Sequence, residues 1–193
     1  MKDSGMKELT VIGVGGAGLS LAQQAHKRIG GRFLAINTDR EQLKGLPAGQ
    51  GLVIGPHSCG GKSAVSPARG RKAVEESLGD IRALLPDSGK AVLLAGLGGG
   101  AGTGAMPTLA KEVIQRDLNL LVAVTLPFGL EAERREAALT GLKELEATGA
   151  TIITHDHAKH LTGFSGLEEA LASSAEALAE RVQLWMEGES DAQ

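Results

Sequence analysis

Two glycine-rich runs carry the chemistry that this sequence can do. The first, Gly13-Val14-Gly15-Gly16-Ala17-Gly18, closes an apolar run and opens an amphipathic stretch. It is G-x-G-x-x-G in a strand–turn–helix setting, where glycine lets backbone N–H groups at a helix N-terminus approach a phosphate closely. Asp39, at the end of the next apolar run, stands where a dinucleotide fold places the acid that holds a ribose. Taken alone, this pattern points to NAD. The second run, Gly96-Leu97-Gly98-Gly99-Gly100-Ala101-Gly102-Thr103-Gly104, again follows an apolar run. Interior glycines cost chain entropy, and the sequence shows no packing return for them, so this run reads as a further cradle of N–H donors. A dinucleotide needs no second, longer cradle. A nucleoside triphosphate does, because its additional charge must be met by more donors and another helix dipole.

Such loops need a rigid frame, and the pattern supplies one. Strands are predicted at Leu9–Val14, Arg32–Asn37, Gly51–Ile54, Ala91–Ala95, Leu120–Thr125 and Thr151–Thr154, most of them apolar on both faces, as in a parallel sheet covered by helices. Amphipathic stretches alternate with them. Gly18, Leu21, Ala22, Ala25 and Ile29 form one stripe. Ser66-Pro67 reads as an N-cap followed by proline, opening a helix that continues through Val74, Leu78, Ile81 and Leu85. A further helix starts near Ala105 with Pro107 close to its beginning, and another carries Leu139, Leu142 and Leu145. Leu167, Leu171, Leu178, Val182 and Trp185 mark a long final helix. The expected fold is α/β: a Rossmann-like three-layer α/β/α sandwich with a mostly parallel sheet of about six strands, ending in that helix. Residues 1–193 read as one domain, with 1–8 and 188–193 as flexible tails.

Composition excludes several classes. A net charge of −3 gives no pull toward nucleic acid or anionic lipid. One cysteine, Cys59, allows neither an intrachain disulfide nor a cysteine metal cluster. There is no apolar run of ~18 residues for a membrane span, and the polar N-terminus argues against a signal peptide, so a cytoplasmic setting is expected. At the other end, Leu184-Trp185-Met186 is the one place where a partner or membrane contact could sit, and the acidic tail disfavours membrane.

Gly98–Gly104 resembles the glycine loop of the tubulin/FtsZ superfamily, usually GGGTGTG. The likeness extends, in order and spacing, to VIGVGGAG (Val11–Gly18), AINTD (Ala35–Asp39), GRKAVEES (Gly70–Ser77) and TLPFGLEAERR (Thr125–Arg135). The resemblance implies a GTP or GDP site, with Mg accompanying the triphosphate. It places the phosphates on Gly15, Gly16 and Ala17 and on Gly98, Gly99, Gly100, Ala101, Gly102, Thr103 and Gly104. Asn37 and Thr38 would edge the pocket, Pro127 would lie in its wall, Glu131 would contact the ribose and Arg135 would lie near the phosphates. From the residues alone, Glu131 and Arg135 also fit a plain i,i+4 pair. Asp156 would stand where the family reads guanine with an asparagine, and its carboxylate could accept from N1–H and the 2-amino group. The neighbouring His155, His157 and His160 read as surface histidines better than as metal ligands, since no carboxylate–histidine triad is evident around them.

The sequence also departs from the family pattern. Ser20 replaces an asparagine that follows the first loop, and Ala101 replaces a loop threonine. Lys62-Ser63-Ala64-Val65 replaces a glycine-rich loop beside the γ-phosphate, where Lys62 is either a phosphate cation or a solvated lysine. Leu171 replaces an aromatic that packs on the base, and Ala175-Glu176 a polar pair that reads it. The family's acidic loop and second domain are not among these residues, so GTP hydrolysis is expected to be weak or absent. The resulting expectation is a guanine-nucleotide-binding scaffold or regulator of cytoskeletal or cell-division type, assembling with itself or with a full-length relative. A nucleotide-free interaction module and an NAD-dependent enzyme stay open beside it.

Overall fold

Six apolar runs form one wholly parallel sheet in the computed structural model, which describes residues 9–129, 131–159 and 166–188. The expectations for residues 1–8, His160 and 189–193 lie outside the described residues. The strands are β1 (Leu9–Val14), β2 (Arg32–Asn37), β3 (Gly51–Val53), β4 (Lys90–Gly96), β5 (Asn119–Leu126) and β6 (Thr151–Asp156), in the order β3-β2-β1-β4-β5-β6. Helices α1 (Gly15–Ile29) and α6 (Leu167–Glu187) cover one face of the sheet. The other face carries α2 (Pro67–Glu76), α3 (Leu78–Leu84), α4 (Gly100–Gln115) and α5 (Ala132–Glu146). The three-layer Rossmann-like sandwich read from the sequence is therefore the fold.

Side chains alternate across the sheet and feed two cores. Val11 packs with Leu21, Leu178 and Val182 on the α1/α6 side, whereas its neighbour Ile12 packs with Met106 and Leu109 on the α4 side. Both are completely buried, and each contributes about 1.5–3 kcal/mol by leaving water.

Strand order decides where a ligand can sit. The chain leaves β1 toward β2 on one side and leaves β4 toward β5 on the other, while β1 and β4 are themselves paired along Leu9–Val14. Their carboxyl ends thus form the crevice where connections diverge, which is the ligand position of an open α/β sheet. Both glycine runs start there.

Two helix boundaries differ from the sequence reading. The helix opened by Ser66 does not run through to Leu85; it breaks at Ser77 into α2 and α3. At the break the Ser77 hydroxyl accepts a hydrogen bond from the Gly55 amide (3.0 Å), and the Glu76 carboxylate accepts from the amides of His57 and Ser58 (3.1 and 3.0 Å). The break lets these side chains hold the preceding loop. The other difference is α4, which begins at Gly100 rather than near Ala105, leaving Pro107 two turns inside the helix. Glycine is a poor helix former, so tertiary packing must impose this start.

That packing is visible at Gly104. A Cβ there would stand 2.0 Å from the Pro67 carbonyl oxygen and 2.7 Å from the Arg71 amide nitrogen, so α2 and α4 touch through backbone. Part of the second glycine run therefore has the packing return that the sequence did not show.

Candidate functional site

Each glycine run ends its strand in a turn that leads directly into a helix. After Val14, Gly15 takes a left-handed φ of +73°, and α1 starts at once with no side-chain cap and no acidic residue in its first turn. Before α4, Gly98 (φ +100°) donates its amide to Thr103 Oγ1 (2.7 Å), and Gly99 caps the helix by backbone alone. Here too the first turn carries neither a side-chain cap nor an acid. The contrast with α2 is instructive, because there Ser66 Oγ accepts from Arg69 N at 3.4 Å. Two helices thus direct first-turn N–H donors and positive dipole ends at one place.

The two loops face each other closely. A Cβ on Gly15 would lie 3.1 Å from the Gly102 nitrogen. Between and around them is a cavity of about 360 Å³, a size in the range of small-molecule sites. Gly15, Gly16, Ala17, Gly99, Gly100, Ala101 and Gly102 form its floor, with Asn37, Pro127 and Glu131 in its walls.

Other residues named from the sequence lie elsewhere. Thr38, Gly98, Thr103 and Gly104 do not line the cavity. Thr103 is buried with its hydroxyl committed to Gly98, and its amide already bonds the Gly99 carbonyl inside the helix. Ser20 lines an adjoining cavity between α1 and α6. Lys62 is exposed and absent from the lining, whereas Ser63 is present. Asp39 is also outside it: its carboxylate accepts from Glu41 N (3.0 Å) and Gln42 Nε2 (3.1 Å).

The expected Glu131–Arg135 pair is not formed. Glu131 pairs with Arg134, one residue earlier, and it is Arg134 that lines the cavity. Arg135 instead makes a two-pronged bond to Asp156, Nη1 to Oδ1 at 2.9 Å and Nη2 to Oδ2 at 2.6 Å. Asp156 Oδ1 also accepts from Ala158 N (3.0 Å), so this carboxylate is held on β6 and does not line the cavity.

The Arg135 hydrogen bonds, opposed by partial burial, hold the Asp156 carboxyl below its ordinary range. A depressed folded-state pKa means that the pair's stabilisation is present above the unfolded carboxyl value of roughly 3.9 and is lost as pH falls through the folded value. Asp156→Asn should therefore lower stability at pH 7 and shrink the drop in stability between pH 4 and pH 2. Urea midpoints across that range check this, and parallel wild-type and variant profiles would refute it.

The residue after β6 that does face the cavity is His157. It and His155 are buried, not surface side chains. The His157 ring stacks on Phe128 with centroids 4.9 Å apart, and its Nδ1 lies 3.0 Å from Ser174 Oγ. Ser174 gives its one proton to the Ala170 carbonyl (2.7 Å), so it accepts from His157, which places the ring proton on Nδ1. Gln42 is a further lining residue with no signal in the sequence; its Oε1 accepts from Asn37 Nδ2 at 3.1 Å. Leu171, read as part of the core stripe of the final helix, is 43% exposed and lines both cavities.

Among the described residues no group of His, Cys, Asp or Glu could hold a metal ion, and no helix is long and apolar enough to cross a membrane. The end of α6 is docked, with Trp185 and Met186 packed on the α1-side core and Lys90 Nζ 5.2 Å over the Trp185 ring.

Comparison with known proteins gives a consistent family. The Tubulin/FtsZ family GTPase-domain model matches residues 8–162. The cell division protein FtsZ of Helicobacter pylori is 37% identical over 153 residues, which is 76% of this chain and 39% of that protein. An empty FtsZ dimer of M. jannaschii superposes with a TM-score of 0.84 at 30% identity, covering 96% of this chain and 56% of that one. CetZ2 of Haloferax volcanii, solved as a GTPγS-bound protofilament, gives 0.79 at 25% identity, covering 96% and 60%. The chain thus spans about half the length of the relatives that it matches.

Proposed function

Because the chain belongs to the tubulin/FtsZ family, we propose that it binds GTP and GDP at the crevice between β1 and β4. The observation that carries this reading is the pair of uncapped helix N-termini, α1 and α4, meeting at one cavity. The first-turn amides of Gly15–Ala17 and Gly99–Gly102 hold the phosphates, and Arg134, paired with Glu131, stands at the wall. Asn37, Pro127 and Glu131 bound the ribose side.

A Mg²⁺ ion fits here as a passenger on the phosphates. Glu131 is the one carboxylate lining the cavity among the described residues, and Arg134 already holds it. The same fact supports slow hydrolysis by these residues alone, since no uncommitted carboxylate stands ready to orient a water. The wider role is that of a cytoskeletal or cell-division element that assembles with itself or with a full-length relative, as the GTPγS-bound CetZ2 protofilament suggests for this fold.

Isothermal titration with GTP, GDP, ATP and NAD tests the ligand. Guanine nucleotides should bind in preference to ATP and NAD, and tight NAD binding without guanine binding would overturn the proposal. Phosphate release measured alongside should stay near background, while sedimentation with GTP reports assembly.

A further inference from the structure

The phosphate cavity opens, past Ala17, Thr125, His157 and Leu171, into a second cavity of about 390 Å³ between α1 and α6. With phosphates on the glycine loops, this slot is the adjoining space open to a nucleotide's base. Its two walls differ in chemistry. The α6 wall is Leu171, Ala172 and Ala175, which can cover the face of a ring but offer its edge no side-chain donor or acceptor. The α1 wall is polar: Ser20, Gln24 and Lys27 stand four and three residues apart, on one helical face.

We infer that Lys27, assisted by Gln24, discriminates the purine from the α1 side by reading a carbonyl at C6. This rests on the nucleotide reading above and deepens it. An ammonium has donors only. The O6/N7 edge of guanine or hypoxanthine presents two acceptors to it, whereas adenine presents its N6 amine, a donor against a donor. Lys27 makes no ion pair with a described residue, although Glu176 lies across the groove. Selectivity then rests chiefly on the 6-oxo group, since the Asp156 carboxylate, the strongest acceptor for the 2-amino group near β6, is held by Arg135 outside both cavities.

Titration of the whole chain with GDP, IDP and ADP tests this, using wild type, Lys27→Met and Lys27→Arg. The side chain is exposed, so neither variant should disturb the fold. Wild type should bind IDP within about threefold of GDP and ADP at least about tenfold more weakly. Lys27→Met should narrow the GDP-to-ADP ratio about tenfold, and Lys27→Arg should restore it. A ratio unchanged in Lys27→Met, or IDP bound more than about tenfold more weakly than GDP, overturns the inference while leaving the nucleotide site in place. Wild type that binds no guanine nucleotide overturns the underlying reading, and this inference with it.

Discussion

Gly99→Asp is expected to abolish guanine-nucleotide binding while leaving the fold at least as stable as wild type. Gly99 caps α4 with φ −97° and ψ 168°, an extended conformation that any residue adopts, and a Cβ there meets nothing within 4 Å. Aspartate is among the best N-caps, because its carboxylate accepts from the second and third amides of the helix. In α4 those amides are Ala101 and Gly102, the donors assigned to the phosphates. The variant thus satisfies the donors internally and sets a negative charge where the phosphates must come. Relative to glycine the cap adds a few tenths of a kcal/mol, while nucleotide affinity should fall by about 100-fold or more, roughly 2.7 kcal/mol. Calorimetric titration with GDP and a thermal melt measure the two effects together. Unchanged affinity would mean that the phosphates do not lie on α4.

Gly104→Ala should act first on the fold, destabilising it from a position that does not line the cavity. The added methyl carbon would sit 2.0 Å from the Pro67 carbonyl oxygen and 2.7 Å from the Arg71 nitrogen, and neither backbone atom can swing aside as a side-chain tip could. Nor can the change be absorbed by one helix alone. Gly70 on α2 meets α4 just as tightly, with its Cβ position 2.1 Å from the Gly100 carbonyl oxygen. Helices α2 and α4 must move apart, opening the core around Val74 and Met106. Overpacking of this kind costs about 3 kcal/mol or more, which lowers Tm by roughly 10 °C in a domain of this size. Urea denaturation with far-UV detection checks this, and a midpoint within error of wild type would show that the helices do not touch there.

These two glycines show how far the sequence could be read. Strand β1, its turn and α1 were legible because every signal is local: an apolar run, G-x-G-x-x-G, and a helical stripe at Leu21, Ala22 and Ala25. The parallel sheet followed from alternating strands and helices, which place both glycine runs at carboxyl ends; the order of its strands is seen only in the structure. Within Gly96–Gly104, however, nothing local says where loop becomes helix. Gly99 faces the cavity and Gly104 faces α2, and that division depends on a helix more than 30 residues earlier in the chain.

The polar wall failed for a related reason, the phase of an element at its end. Strand β6 runs on to Asp156 rather than stopping at Thr154, which turns Asp156 toward Arg135 and delivers His157 to the cavity. On α5, the rotation of the helix at its start decides that Arg134, and not Arg135, joins Glu131 at the pocket. An offset of a single residue exchanges the roles in both places. Gln42 left no trace in the sequence at all, since its place depends on the Asn37 and Asp39 side chains that hold it after β2.

The central claim, that the first turns of α1 and α4 together hold the phosphates of a guanine nucleotide, is tested most directly by amide NMR. In ¹⁵N-labelled protein titrated with GDP, the account predicts that the largest amide shifts cluster at Gly15, Gly16 and Ala17 and at Gly99, Gly100, Ala101 and Gly102. The amides of Thr103 and Gly104, turned into the α4 ladder and the α2 contact, should shift far less. Large shifts confined to one of the two loops, or to neither, would contradict it.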